Sequence, residues 1–359
     1  MTSRHAQPLS RARERIIAIA AAASDAMLLR TDLIAELRRS VAFDAHVWLL
    51  TDPVTAVGYS PLADVPAARE LPGLISLKYR TAVNRWTVLA WGPERARSLM
   101  QATGGELSAS LLWRDLLARY DVVDVASIVF ADRHGCWSFL DLWRRAPAPP
   151  FAADVMAFLA DVSPSITAAL RRCVAATFAG PAAAAARELG PVVLVLDEAL
   201  NVIGQTDASE NWLRALVPAE PGQPTIPASV YNVAAQLLAS EDGLDTHPPR
   251  ARAHLANGLW ITLRAARLGG SGGTIAVTIE EATPVDRLEI FSLAFGLSAR
   301  EIQLMRELAT GVDSKALAAR LFVTEHTVQD HLKSIFARTS THSRRELVSR
   351  ALGTRQETG

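Results

Sequence analysis

The spacing of apolar residues changes period along this chain, and the changes divide it into three regions. In roughly the first forty residues the apolar positions recur at helical intervals. Strand-like runs follow at 45–50, 54–59, 122–131 and 136–144, with Asp132-Arg-His-Gly135 placed as a hairpin turn between the last two. Pro147-Ala-Pro-Pro150 breaks the pattern, and a helix is predicted over 152–172 with Pro164 as its bending point. Residues 8–178 thus read as one α/β domain. An alanine-rich link at 175–188, interrupted by Gly180-Pro181, leads to a second region at 190–282. There the pattern predicts strands at 192–197 and 201–204, a short helix at 210–216 containing Trp212, and strands at 258–268 and 274–280. The last two strands are joined by Gly269-Gly-Ser-Gly-Gly273. That glycine run is not a phosphate-binding loop, because no lysine and no helix follow it.

The third region, 284–355, is helical throughout, and each helix carries its own start signal. Ser298 with Glu301 opens the first helix after Gly296, Asp313 the second, Thr324 the third, and Ser343 with Glu346 the fourth. The first and last pairs are capping boxes, in which the hydroxyl accepts from the amide three residues on and the glutamate accepts from the cap amide. Gly311 stands where the first helix must turn in the left-handed region. On the third helix, Val328, Leu332, Ile335 and Phe336 fall in one apolar quadrant, while His326, Asp330, Lys333 and Ala337 lie opposite. Thr327 and Gln329 flank the polar face, and His331 lies beside the core. Leu317, Ala318 and Leu321 of the second helix supply the facing surface, and Phe322-Val323 forms the turn between the two. Two helices joined in this way form a helix-turn-helix, whose second member offers a polar face to a major groove.

The run from Gly296 to Arg338, taken with Gly311 and the cap residues, resembles the DNA-binding domain of LuxR-type (NarL-type) bacterial transcription regulators over some sixty residues. The resemblance implies that the third helix enters the major groove and that the fourth forms a dimer contact. Matched by position, it places Gln329, Asp330 and Lys333 at groove contacts and Thr327 at a backbone contact; Lys315, Thr324 and His326 are further expected DNA contacts, and Leu347, Val348 and Ala351, on one face of the fourth helix, are the expected dimer contact. Better-known members carry lysine and valine where Gln329 and Asp330 stand, so the resemblance carries over the fold and not the base preference. The side-chain chemistry fits such roles: Lys333 can neutralise a phosphate or approach guanine, Gln329 can pair with adenine, and Asp330 can accept from cytosine. Thr324 and Thr327 sit at a helix N-terminus, where phosphate oxygens are favoured. The expected partners are double-stranded promoter DNA, a second copy of the chain, and RNA polymerase where the protein activates.

The first region resembles GAF-like sensor domains found ahead of this DNA-binding domain in actinobacterial regulators, on Gly135-Cys-Trp-Ser-Phe-Leu-Asp-Leu-Trp-Arg144, Pro150-Phe151 and Ala168-Ala-Leu-Arg171. The second is similar to a small PAS-like domain. These resemblances imply a small molecule, cofactor or subunit held over a sheet. The expected architecture is therefore multidomain α+β, with an α/β GAF-like domain, a small PAS-like α/β region and an all-α four-helix tail. Trp48, Trp86, Trp91, Trp113, Trp137 and Trp143 all fall in the first region, as core or as pocket lining. The residues from Pro284 to Phe295 are the expected coupling segment.

Composition narrows the input. A phosphorylated receiver needs a downstream lysine, and Lys78 is the only lysine ahead of the tail. No ATPase phosphate loop is present, which leaves ligand or partner sensing as the mode of control. The 359 residues carry no net charge, while from Gly296 onward ten Arg and Lys face seven Asp and Glu. DNA binding then rests on placed residues and dimer avidity. Cys136 and Cys173 are too few and too far apart for a metal site or disulfide framework. The segment 11–26 imitates a signal peptide but contains Glu14 and reads as an amphipathic helix. No run is read as spanning a membrane, no catalytic spacing or cofactor motif is evident, and a cytoplasmic regulator that is not an enzyme is expected. A cofactor-binding or enzymatic sensor with DNA-binding output, and an adaptor with a weak DNA grip, stand as alternatives.

Overall fold

The computed structural model describes residues 3–179, 192–207, 209, 226–255, 259–270 and 273–353. Two helices open the chain, α1 (Ser3–Ala22) and α2 (Ala26–Ser40). Ala12, Ile16 and Ala20, four residues apart, make the buried stripe of α1. Helix α2 starts at Asp25, whose carboxylate accepts from the amides of Met27 and Leu28.

Five strands follow: β1 (Ala45–Thr51), β2 (Gly58–Asp64), β3 (Ala96–Ser98), β4 (Val122–Asp132) and β5 (Gly135–Arg145). They form one antiparallel sheet in the order β2-β1-β5-β4-β3. Helices α3 (Leu71–Arg80), α4 (Trp86–Trp91), α5 (Leu99–Ala102) and α6 (Leu111–Asp115) lie between β2 and β4 in the chain, and α7 (Ala153–Ala176) follows β5. Alternation along β1 separates the two faces of the sheet: Trp48 joins the core shared with α1, α2 and α7, while Leu49 turns to the side of α4. Trp48 stacks on Phe130 of β4 at 5.3 Å between ring centres.

The second sheet repeats that plan. Strands β6 (Val192–Leu196), β7 (Val202–Gln205), β8 (Arg250–His254), β9 (Trp260–Arg267) and β10 (Ile275–Glu281) pair antiparallel in the order β7-β6-β10-β9-β8. Counted from its own first strand, each sheet has the order 2-1-5-4-3. Helix α8 (Ala228–Glu241) packs on β9 and β10 and, on its other side, against α3 and β2 of the first domain. Helix α8 is buried over most of its circumference, as a helix wedged between two sheets must be. The tail consists of α9 (Pro284–Ala294), α10 (Ala299–Leu308), α11 (Ser314–Arg320), α12 (Glu325–Thr339) and α13 (Arg344–Leu352).

Several expectations change. Both sheets are antiparallel, so the first two regions are α+β rather than α/β. The strand expected at 54–59 begins only at Gly58, because Asp52 accepts from the amides of Val54 and Thr55 and the turn passes through Ala56 at φ 56°. Strand β8 escaped the apolar pattern: its buried alternate residues are the small Ala251 and Ala253, set among arginines. Helix α8 was not anticipated either. The short helix expected at 210–216 lies outside the described residues, as do 180–188 of the expected link. The helix at 153–176 is long and apolar enough to cross a membrane by length and composition, contrary to expectation. Its apolar residues nevertheless face inward, with Phe158, Leu159, Val162, Ile166 and Leu170 buried in the first domain's core.

Candidate nucleic-acid interface

Capping builds the tail helix by helix. Ser298 Oγ accepts from the Glu301 amide at 3.3 Å, and Glu301 Oε2 accepts from the Ser298 amide at 2.8 Å, completing the first box. Asp313 accepts from the Ala316 amide and Thr324 from the Thr327 amide. Gly311 has φ +82°, as its turn requires. The fourth cap closes by half: Ser343 accepts from the Glu346 amide, but Glu346 Oε2 reaches one residue further back, to the amide of His342. Extended backbone at Ser343, φ −147°, presents that neighbouring amide.

Helix α12 buries Val328, Leu332 and Ile335, with Phe336 half-buried beside them, and it packs on Leu317, Ala318 and Leu321. The opposite face is open. The side chains of His326 and Lys333 are 84% and 76% exposed and that of Asp330 56%, so no other part of the described residues covers the face. Asp330 Oδ2 lies 3.5 Å from His326 Nε2, and Asp330 Oδ1 lies 3.8 Å from Lys333 Nζ. One acid therefore stands between two groups able to meet phosphate, and it offsets part of the Lys333 charge. Gln329 Nε2 donates to Ser314 Oγ at 3.2 Å, and Arg344 donates to the same hydroxyl. This polar knot joins α11, α12 and α13 beside the exposed Lys315. His331 is half-buried, beside the core as expected. Phe322, in the turn, has φ 54° and is 94% exposed.

Glu301 does more than cap. It is buried, and its Oε1 accepts from Ser334 Oγ at 2.7 Å while Arg338 Nη1 stands 3.2 Å from Oε2. Burial alone would raise its pKa, but the Ser298 amide, the two hydroxyls and the Arg338 charge outweigh that and hold it below its ordinary value. One carboxylate thus ties the start of α10 to the middle of α12.

The expected dimer face needs correction. Leu347 and Ala351 have no exposed surface, because α13 lays them against α9 within the same chain. Val348 is half-buried and retains surface of its own. Helix α9 is equally committed on its other sides. Phe291 is fully buried, edge-on to Phe178 at 5.3 Å and beside Phe295 at 4.6 Å, and Phe178 stacks on Trp260 of β9. Nearby, Arg252 of β8 forms a double contact with Asp52 of the first domain, Nε–Oδ2 2.7 Å and Nη2–Oδ1 2.8 Å, and its remaining Nη1 donates to Glu289 of α9. Arg252 and Asp52 are both fully buried. A single guanidinium thereby contacts all three regions, and no local pattern could disclose it, since the partners lie 200 residues apart. The first domain also touches the tail directly. Arg171 pairs with Asp132 at 3.0 Å, and the same side chain donates to the carbonyl of Ala294 at 3.5 Å.

Residues 296–351 match the family of bacterial regulatory proteins, luxR family. Over 48 residues the chain is 40% identical to a nitrate/nitrite response regulator protein homolog of Haemophilus influenzae, a match that covers 13% of this chain and 23% of that relative. The chain thus spans about a quarter of that relative's length. Two solved structures overlap more of the chain but only loosely. SdiA in complex with octanoyl-rac-glycerol is 11% identical, covering 95% of this chain and 93% of its own at a TM-score of 0.29. The Escherichia coli DhaR(N)–DhaL complex is 13% identical, covering 79% and 91% at a TM-score of 0.19. Overlaps that loose define neither a common architecture nor a ligand. The tail, by contrast, is a LuxR-family helix-turn-helix domain.

Proposed function

We propose that this protein is a one-component transcription regulator, in which the two N-terminal domains receive a signal and the tail binds promoter DNA as a dimer. The observation that carries the reading is the open polar face of α12, backed by a buried helix-turn-helix core inside the stretch that matches the luxR family. Lys333, Gln329 and Asp330 would read base edges, Thr324, Thr327, His326 and Lys315 would position the backbone, and Val348 would contribute to the dimer. The repeated strand order supports taking both N-terminal domains as versions of one sensor fold, the first GAF-like and the second PAS-like. In this reading the protein carries out no chemistry of its own.

Control would act through α9 rather than by covering the recognition helix. The DNA face is already exposed, whereas α9 holds Leu347 and Ala351 of α13 and reaches Arg252 and Phe178. Fluorescence anisotropy of the purified full chain with its own upstream DNA tests the proposal. Saturable binding that falls steeply with salt is expected, and affinity no greater than for unrelated DNA would overturn it.

A further inference from the structure

Between the first sheet and α3 lies a partly open cavity of about 60 Å³. Its lining is largely apolar, with Val47, Leu49, Leu74, Ile75, Leu112 and Trp143 among the wall residues. Val47 and Leu49 both reach it because alternate residues of a strand share a face. Three polar features interrupt the lining. Lys78 Nζ lies 2.8 Å from Asp141 Oδ2 and 4.4 Å from the centre of the Trp86 ring, and both Lys78 and Asp141 are buried. Asp141 Oδ1 also accepts from Ser127 Oγ at 2.7 Å and from Trp86 Nε1 at 3.3 Å. Tyr79 accepts from the Gly58 amide at 3.0 Å, and burial holds its phenol protonated, far above its ordinary pKa.

The third feature is Asn232. It belongs to α8, the helix of the second domain, and it reaches the wall of a cavity otherwise built almost wholly by the first domain. Its side chain is fully buried, and among the described residues neither Oδ1 nor Nδ2 has a hydrogen-bond partner. Buried amides are nearly always paired, because leaving one unpaired forfeits its hydration without return. An orphaned amide at the wall of an apolar cavity points to a partner that occupies the cavity.

We propose that this cavity is a ligand site shared by the two N-terminal domains, and that it takes a neutral, mainly apolar small molecule whose amide-type head pairs with Asn232. Two observations select the class. Asn232 presents a donor and an acceptor side by side, which a carboxamide or lactam complements and a hydrocarbon does not. Lys78 and Asp141 already neutralise one another, so a carboxylate or ammonium ligand would bring an uncompensated charge into an apolar space. Size agrees: the enclosed part, about 60 Å³, takes the amide head while a ring or short chain lies in the open mouth, and there is too little room for a nucleotide or haem. Helix α8 also packs on β9 and β10, so a ligand that engages Asn232 bears on the element joining the two domains. Its role as the regulatory input rests on the function proposed above.

The test uses the full chain with benzamide and hexanamide as probes and hexanoate and toluene as controls. Trp86 and Trp143 line the cavity, so binding is read by tryptophan fluorescence and by the shift in Tm. Both amides should bind, hexanoate and toluene at least about tenfold more weakly, and Asn232→Leu should weaken the amides by about tenfold or more. Without ligand, Asn232→Leu should melt higher than wild type, because it removes an unpaired amide at similar volume. A purely structural asparagine would give the reverse. Failure of both amides to bind, equal binding of hexanoate, or unchanged amide affinity in Asn232→Leu would overturn the site. Operator binding measured in parallel separates the two readings. If the amides bind but leave DNA affinity unmoved, the site stands and its regulatory role falls; if DNA binds and the amides do not, the regulator stands and the site falls.

Discussion

Asp52→Asn tests whether the three regions are held by one buried charge. The substitution preserves shape and removes the anion that faces Arg252 through contacts of 2.7 and 2.8 Å, with both residues fully buried. Removing one partner of such a pair leaves an uncompensated charge and costs about 3–5 kcal/mol. The lower end applies here, since Glu289 still receives Nη1 and Asp286 lies 4.0 Å away. The new Asn amide would also meet the guanidinium donor to donor unless it turns its oxygen that way. A loss of about 3 kcal/mol moves the urea midpoint by about 1 M for a slope near 3 kcal/mol per molar. The assay is urea denaturation followed by tryptophan fluorescence, with Asp52→Leu, Arg252→Met and the double variant alongside. The double variant should recover most of the loss, because two apolar groups of similar size replace the pair without leaving a charge. The reasoning is refuted if Asp52→Asn shifts the midpoint by less than about 0.2 M, or if the double variant is as unstable as the two single losses added. Acid offers a second check. Burial would raise the pKa of Asp52, but the Arg252 charge and the hydrogen bonds lower it below 3.8. Its contribution is therefore present above that value and lost as pH falls through the folded-state pKa; Asp52→Asn should remove this part of the acid limb.

Three further outcomes follow from the tail and the junction. Lys333→Ala should weaken operator binding and, if Lys333 meets a phosphate, lower the slope of log affinity against log salt by about 0.9; an unchanged slope and affinity would remove it from the contact set. Leu347→Asp should destabilise the tail rather than only split a dimer, since Leu347 is fully buried against α9, whereas Val348→Asp should reduce dimeric binding to a palindromic site while leaving Tm nearly unchanged. A normal Tm for Leu347→Asp would show that the α9–α13 contact is not maintained in solution. Burial and the nearby Arg287 charge depress His254 to about 4 from 6.5, so it folds neutral; stability should fall by up to about 3 kcal/mol as pH drops from 6.5 to 4, and His254→Leu should flatten that limb. The same acid dependence in His254→Leu and wild type would contradict this.

The tail was legible because its structure is written in local chemistry. Caps at Ser298, Asp313 and Thr324 act over three residues, Gly311 acts on its own φ, and the Val328–Leu332–Ile335 stripe needs only helical geometry. Where reach exceeded one turn, the reading slipped: Glu346 accepts from His342 rather than from Ser343. The strands with large apolar residues were visible for the same reason, while β8, with Ala251 and Ala253 as its inward residues, was not. The expected pairing face shows the limit best. Leu347 and Ala351 were recognised as one apolar face of α13, but a helix wheel does not say which surface such a face meets, and here it meets α9.

By itself the sequence determined the helix-turn-helix and the polar face of α12. Both depend on interactions between near neighbours. Only the tertiary structure decided that both sheets share one strand order, that Arg252 gathers Asp52 and Glu289, and that Asn232 stands unpaired at the wall of the first domain's cavity. Those facts are set by burial between segments up to 200 residues apart. There the energy of a charge or an amide depends on what folding places beside it, which the spacing of residues along the chain does not record.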